Sequence, residues 1–309
     1  MDVRATFPQG GLLGWGANLT EALNYRNNPK LYARRTLTSA DLRSLKRQIV
    51  TPDPGAFSQG SMDDCYLISD LKALMSTEVG RKQIEAMVEV HRDFAVIWFW
   101  DGLRRIPVRV RSVFEAGVRR IRGPRTPLAA VIESAYAHFR WEFQGRLPTM
   151  GFSGDTLGEI AGVAVWQKRR VLGLRDTDVA AIGRARSADL PVVVSTVGSN
   201  PVEFTDAFDI RKRTFDAEAP ARIPGLGDVS VRIRAAHAYM VTSVGANWVE
   251  LVNPWEYNYG TDGQVLRATE GVHQGALTVR LPIFMRLFGH VGLIPSRSLA
   301  LWKSHLGME

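Results

Sequence analysis

Apolar residues recur at helical spacing through much of the first half of the chain and alternate as in strands through the second. From Asp64 onward, Leu67, Ile68, Leu71, Leu74 and Met75 fall three and four residues apart, which predicts a buried helix. Asp63 or Asp64 is the expected cap, so Cys65 lies at or next to the first turn. Pro52, Pro54 and Gly55 break the chain just before it. Leu42, Leu45 and Ile49 mark another helix over about 39–48, with Ser39 as its expected N-cap. A third starts at Pro127 and carries Leu128, Val131, Ile132, Ala135 and Tyr136. Between them, 93–100 and 104–114 read as two strands turning at Asp101-Gly102. Residues 151–163 read as a glycine-punctuated loop leading into a short helix.

The second half changes period. Residues 191–198, 229–235, 237–244 and 247–255 are rich in valine and alternate. Residues 281–295 read as a short helix followed by a strand. The expected class is therefore α+β. We divide the chain into an accessory region 1–50, a helical lobe 51–165 and a β-rich lobe 166–309, with a cleft between the lobes.

Composition narrows this further. Of 309 residues, 45% are hydrophobic and 23% charged, so a packed core is expected. No window approaches the roughly 18 uninterrupted apolar residues of a membrane span. The opening MDVRATFPQGGLLGWG lacks the apolar core of a conventional secretory signal. A single Cys excludes an intrachain disulfide and a Cys-rich zinc site, and a reducing compartment suits it. Net charge is +8, mostly from scattered arginines such as Arg104-Arg105, Arg119-Arg120 and Arg169-Arg170. A solvated basic surface explains this, or else a surface for an acidic partner or membrane. With no basic run of five residues, no specific nucleic-acid partner is expected.

Candidate chemistry centres on Cys65. The thiolate, not the thiol, is the nucleophile, and a helix N-terminus favours an anion. An imidazole nearby can take up the thiol proton, and a side-chain amide oxygen can hold that imidazole in one orientation. His237 opens a predicted strand, and Asn253 follows it by sixteen positions (253 − 237 = 16) on the next. None of the other histidines is followed by an Asn-Pro-Trp at such short spacing. An acyl transfer also needs oxyanion donors. The Cys65 backbone N–H is one, and the Gln59 amide is another if the loop 60–64 doubles back at Gly60. Taken singly, these residues read as a buried thiol, a strand histidine and a turn asparagine. Their joint order and placement favour the catalytic reading.

QGSMDDCYLISDL resembles the calpain-family signature Q-G-x-x-G-D-C-[WY]-[LF]. AHAYMVTSV followed by VELVNPW resembles the family's G-H-A-Y motif and its R-N-P-W. ESAYAHF (133–139) and FMRLFGHVGLIP (284–295) agree in order and spacing. The resemblance covers about residues 50–295. It implies a papain-like two-lobed core and an endopeptidase that cleaves protein substrates through a thioester. By residue match, Cys65 is the nucleophile, His237 the base and then the acid, Asn253 the orienter and Gln59 the oxyanion donor. Trp255 shields the His–Asn hydrogen bond from water. Three positions depart from the pattern: Asp63, Ala236 and Glu256 stand where the family has Gly. No metal or organic cofactor is implied. The calcium-binding acidic loops of animal calpains are unmatched and no D-x-D-x-D-G loop is present, which argues against calcium dependence. An Arg-rich core of this kind suggests a bacterial toxin or effector, cytoplasmic or delivered into a target cell. The same Cys–His–amide set could serve a transamidase, deamidase or acyltransferase, and a calpain-like fold could serve as a non-catalytic scaffold.

Overall fold

The computed structural model describes residues 33–50, 57–60, 64–115, 117, 127–145, 154–170, 172–196 and 216–308. Asp63, the Arg119-Arg120 pair and most of the accessory region lie outside the described residues.

The chain runs β1 (Arg34–Thr36), α1 (Ser39–Val50), α2 (Cys65–Met75), α3 (Glu78–Ala86), β2 (Val88–Val90), β3 (Ala95–Asp101), β4 (Arg104–Val110) and β5 (Ser112–Phe114). Then follow α4 (Pro127–Gln144), α5 (Asp155–Ala161), β6 (Trp166–Arg169), α6 (Asp176–Ser187), β7 (Val192–Thr196), β8 (Ala217–Ile223) and β9 (Gly227–Ile233). The remainder is β10 (Ala238–Val244), β11 (Trp248–Val252), β12 (Asn258–Gly260), β13 (Val265–Leu266), β14 (Ala276–Arg280), α7 (Leu281–Leu287), β15 (Phe288–Leu293) and α8 (Leu299–His305).

The fold is α+β. Among the described residues, ten strands form one antiparallel sheet in the order β13-β12-β9-β8-β14-β11-β10-β7-β15-β6. A smaller sheet, β2-β3-β4, contains the hairpin expected at Asp101-Gly102, with Asp101 paired to Arg104. The expected second strand of that hairpin, 104–114, is two strands. β4 ends at Val110, and β5 turns away to pair with β1, Arg34 opposite Phe114.

Helix α2 is the centre of the molecule. Every residue from Tyr66 to Met75 is buried, so all its faces are covered, not one stripe. It packs against β10 and β7 on the sheet and against α3 and α5. One continuous apolar cluster joins Leu71 of α2, Ile97 of β3 and Val241 of β10. Each such fully buried aliphatic side chain is worth about 1.5–3 kcal/mol relative to exposure.

Two sequence expectations are corrected at helix ends. Ser39 is already the first residue of α1, and the cap is Thr38. Its hydroxyl accepts from the Asp41 N–H at 3.1 Å, while the Asp41 carboxylate accepts from the Thr38 N–H at 2.8 Å. Asp64 does occupy the N-cap position of α2, but its carboxylate makes no capping hydrogen bond to the helix.

Strand β8 is masked in the sequence by Pro220, since proline is a poor residue for an inner strand. β8 does lie between β9 and β14, but β14 pairs only with Ala221 and Arg222. The missing N–H of Pro220 therefore falls beyond the β14 ladder. Among the described residues no helix is long and apolar enough to cross a membrane.

Candidate functional site

The site is built where α2 starts and where the strands β10 and β11 begin and end. These two strands are antiparallel neighbours, with Met240 opposite Val252. His237 immediately precedes β10 and Asn253 immediately follows β11. Their side chains therefore emerge at the same end of the ladder. The His237 Nε2 lies 3.0 Å from the Asn253 Oδ1, and both residues are 3% exposed, so water is excluded from the bond.

The Asn253 oxygen also accepts from the Trp255 backbone N–H at 3.1 Å. Two donors converging on one atom settle the amide orientation, because only the oxygen can accept. Nε2 therefore carries the imidazole proton, and Nδ1 is left as the acceptor. The Trp255 indole lies over the His237 ring, with centroids 4.3 Å apart. Trp255, expected to shield the His–Asn hydrogen bond, thus lies against the ring that makes that bond.

A further layer holds these groups. Asn253 donates its backbone N–H to the Gly275 carbonyl at 3.0 Å, and its amide reaches Asn258 at 3.5 Å. On the His237 side, Thr196 at the end of β7 exchanges two bonds with the His237 backbone. The Thr196 N–H donates to the His237 carbonyl at 3.0 Å, and the His237 N–H donates to the Thr196 hydroxyl at 3.0 Å. That hydroxyl in turn donates to the Arg234 carbonyl at 2.8 Å. Sequence reasoning misses Thr196 and Asn258, since a threonine ending a valine run and an asparagine near a turn carry no distinctive pattern.

Gln59 lies beside the same turn. Its backbone N–H donates to the Pro254 carbonyl at 2.9 Å. This places the segment leading to Cys65 directly against the residue that follows Asn253. Cys65 is half-buried as the first residue of α2, and α2 packs on β10. Tyr239 belongs to β10, the strand on which α2 packs. Its ring meets the His237 ring edge-on at 5.0 Å. Burial pushes the Tyr239 phenol well up. The structure therefore gathers Gln59, His237, Asn253 and Trp255 into one neighbourhood, although they come from segments nearly two hundred residues apart, and packs the helix that Cys65 begins on the adjoining strand β10.

Burial lowers the His237 pKa to about 4; the Asn253 bond pulls it up, and the Arg234 charge pushes it further down. At neutral pH the ring is uncharged and fit to accept a proton at Nδ1. The same value predicts acid sensitivity. A histidine depressed in the folded state favours folding above its unfolded value, about 6.5, and that contribution disappears as the pH falls toward about 4. At about 1.4 kcal/mol per pH unit, the loss is bounded at about 3 kcal/mol. Denaturant midpoints at pH 7 and pH 4.5 should differ accordingly, and His237→Gln should flatten the difference. Equal flattening by a surface histidine such as His91 would refute the assignment.

Two residues flanking the site have left-handed backbone: Ala236 at φ 48° and Glu256 at φ 60°. A side chain there costs about 1–2 kcal/mol, which glycine avoids. Ala236→Gly should raise stability by about 0.5–1 kcal/mol, after the added chain entropy of glycine is subtracted. A lowered thermal midpoint in that variant would show that the strain is absent.

No family model matches the chain, and no curated protein matches it either.

Proposed function

We propose that the protein is a cysteine endopeptidase with a papain-like core of the calpain type. The carrying observation is the buried His237–Asn253 hydrogen bond under Trp255. It is a neutral imidazole of fixed tautomer, set beside the strand on which the only cysteine's helix packs. Two of the three departures from the resembled motifs add support. Positions 236 and 256, where those motifs carry Gly, have the positive φ that glycine suits best.

In this reading His237 Nδ1 takes the Cys65 proton, and the sulfur attacks the carbonyl carbon of the scissile bond. The oxyanion is met by the Cys65 N–H and the Gln59 amide. The C–N bond breaks as His237 returns the proton to the leaving amine, leaving a thioester on Cys65. Water then attacks the thioester, giving one proton to His237 and releasing the acid, and that proton returns to the sulfur. Asn253 accepts from Nε2–H throughout and keeps the ring in register.

The test is a cleavage profile of a denatured protein mixture. Wild type should create new N-termini, and Cys65→Ala should create none. The mass of products from a short peptide separates hydrolysis from the related chemistries, since deamidation adds about one dalton and transamidation joins two chains. No change with wild type in any of these assays would leave the fold as a binding scaffold and sink the proposal.

A further inference from the structure

A charged pair is buried at the centre of the molecule. Lys72 of α2 is fully buried, and its Nζ lies 3.1 Å from Oε1 of Glu256, whose side chain is 7% exposed. The two are 184 residues apart in sequence. Lys72 follows Cys65 by seven residues (72 − 65 = 7), two helical turns further along the same face. Glu256 follows Asn253 by three (256 − 253 = 3) and closes the same turn, its N–H donating to the Asn253 carbonyl at 3.0 Å. The pair thus joins the helix that begins with the sulfur to the turn that carries the amide.

Stability alone is a poor reason for such a pair. Desolvating both ions offsets most of their attraction, and apolar residues of similar volume usually stabilise a core as well or better. Glu256 also sits in left-handed backbone, so the turn is strained where the carboxylate is anchored. What the pair does supply is direction and register. The turn has little room to move elsewhere, because a Cβ at Gly275 would come within 2.4 Å of the Asn253 carbonyl oxygen. A second tie, Gln59 N–H to the Pro254 carbonyl, pins the other side of the same turn.

We propose that Lys72 and Glu256 are positioning residues that set Cys65 in register with the His237–Asn253 pair. The pair touches no reacting atom. It acts through the pitch of α2 and the placement of the Asn253 turn. This inference rests on the acyl-transfer reading above, so its test includes a readout that needs no protease activity. Cys65 is the only cysteine, so alkylation by iodoacetamide reports on that sulfur alone.

The experiment compares wild type with Lys72→Met/Glu256→Met, with the swapped pair Lys72→Glu/Glu256→Lys, and with Glu256→Asp, which keeps the charge and shortens the arm. The double Met variant should keep a thermal midpoint near wild type or above it. Its kcat should fall about 10- to 100-fold with KM nearly unchanged, and Cys65 alkylation at pH 7 should slow. The swapped pair should recover part of both rates, and Glu256→Asp should fall between. A merely structural pair would move the midpoint and leave kcat and alkylation alone in whichever variants fold, and that result overturns the proposal. If wild type cleaves nothing, the peptidase reading fails. The register proposal then stands or falls on alkylation alone.

Discussion

Cys65→Ala should yield a folded protein with no turnover. The sulfur is half-buried against the apolar cluster around α2, so removing one atom costs about 1 kcal/mol or less of packing. The helix start keeps its geometry, because Cys65 contributes no capping side chain and the N-cap residue is Asp64. Activity behaves differently. In the proposed mechanism no second cysteine can replace Cys65 as nucleophile, so the thioester cannot form. Turnover should fall by at least about 10⁴-fold, the scale on which loss of a covalent nucleophile reads elsewhere. Circular dichroism and thermal unfolding check the fold, and release of new N-termini checks the chemistry. Persistent cleavage by the purified Ala variant would transfer the activity to another residue and end the assignment.

The second large effect is expected at His237, with a graded one at Asn253. His237→Ala removes the group that takes the thiol proton in the proposed mechanism and should lower kcat by roughly 10²–10⁴-fold. Asn253→Ala leaves the ring but removes the acceptor of its Nε2–H inside a buried site. The ring can then turn or change tautomer, and a wrong tautomer disables a base as surely as its removal. The loss should be smaller than for His237→Ala, because part of the population keeps Nδ1 facing outward. Alkylation of Cys65 at neutral pH should slow in the same order. Wild-type kcat in His237→Ala, at unchanged fold, would show that some other group takes the thiol proton.

Much of the site is legible in the amino-acid pattern alone. Leu67, Ile68, Leu71 and Leu74 announce the Cys65 helix because a buried helix must repeat its apolar residues at its own pitch. The valine-rich strands around His237 and Asn253 show themselves by alternation in the same way. Ser39 and Thr38 are equivalent as candidate caps, because both are hydroxyls, and only the reciprocal bonds with Asp41 choose Thr38. Helix α3 is obscured in the sequence. Its Gly80 weakens a helical pattern, yet a Cβ there would strike the Leu74 carbonyl oxygen at 2.1 Å. The close approach of two helices demands the residue that hides one of them.

Lys72 carries a signal of its own. A lysine in a helix buried on every side must find a buried anion, since burying it alone is prohibitive. Nothing along the chain says that the anion is Glu256. Local pattern determined where helices and strands form, and which residue types could do acyl chemistry, because periodicity and side-chain chemistry reside in neighbouring letters. Which of those residues meet was decided only by tertiary structure. The sheet order brings β10 beside β11, and the packing of α2 on β10 brings the sulfur's helix to the same sheet. Such long-range contacts depend on the summed fit of many surfaces, and no single stretch of sequence records that sum.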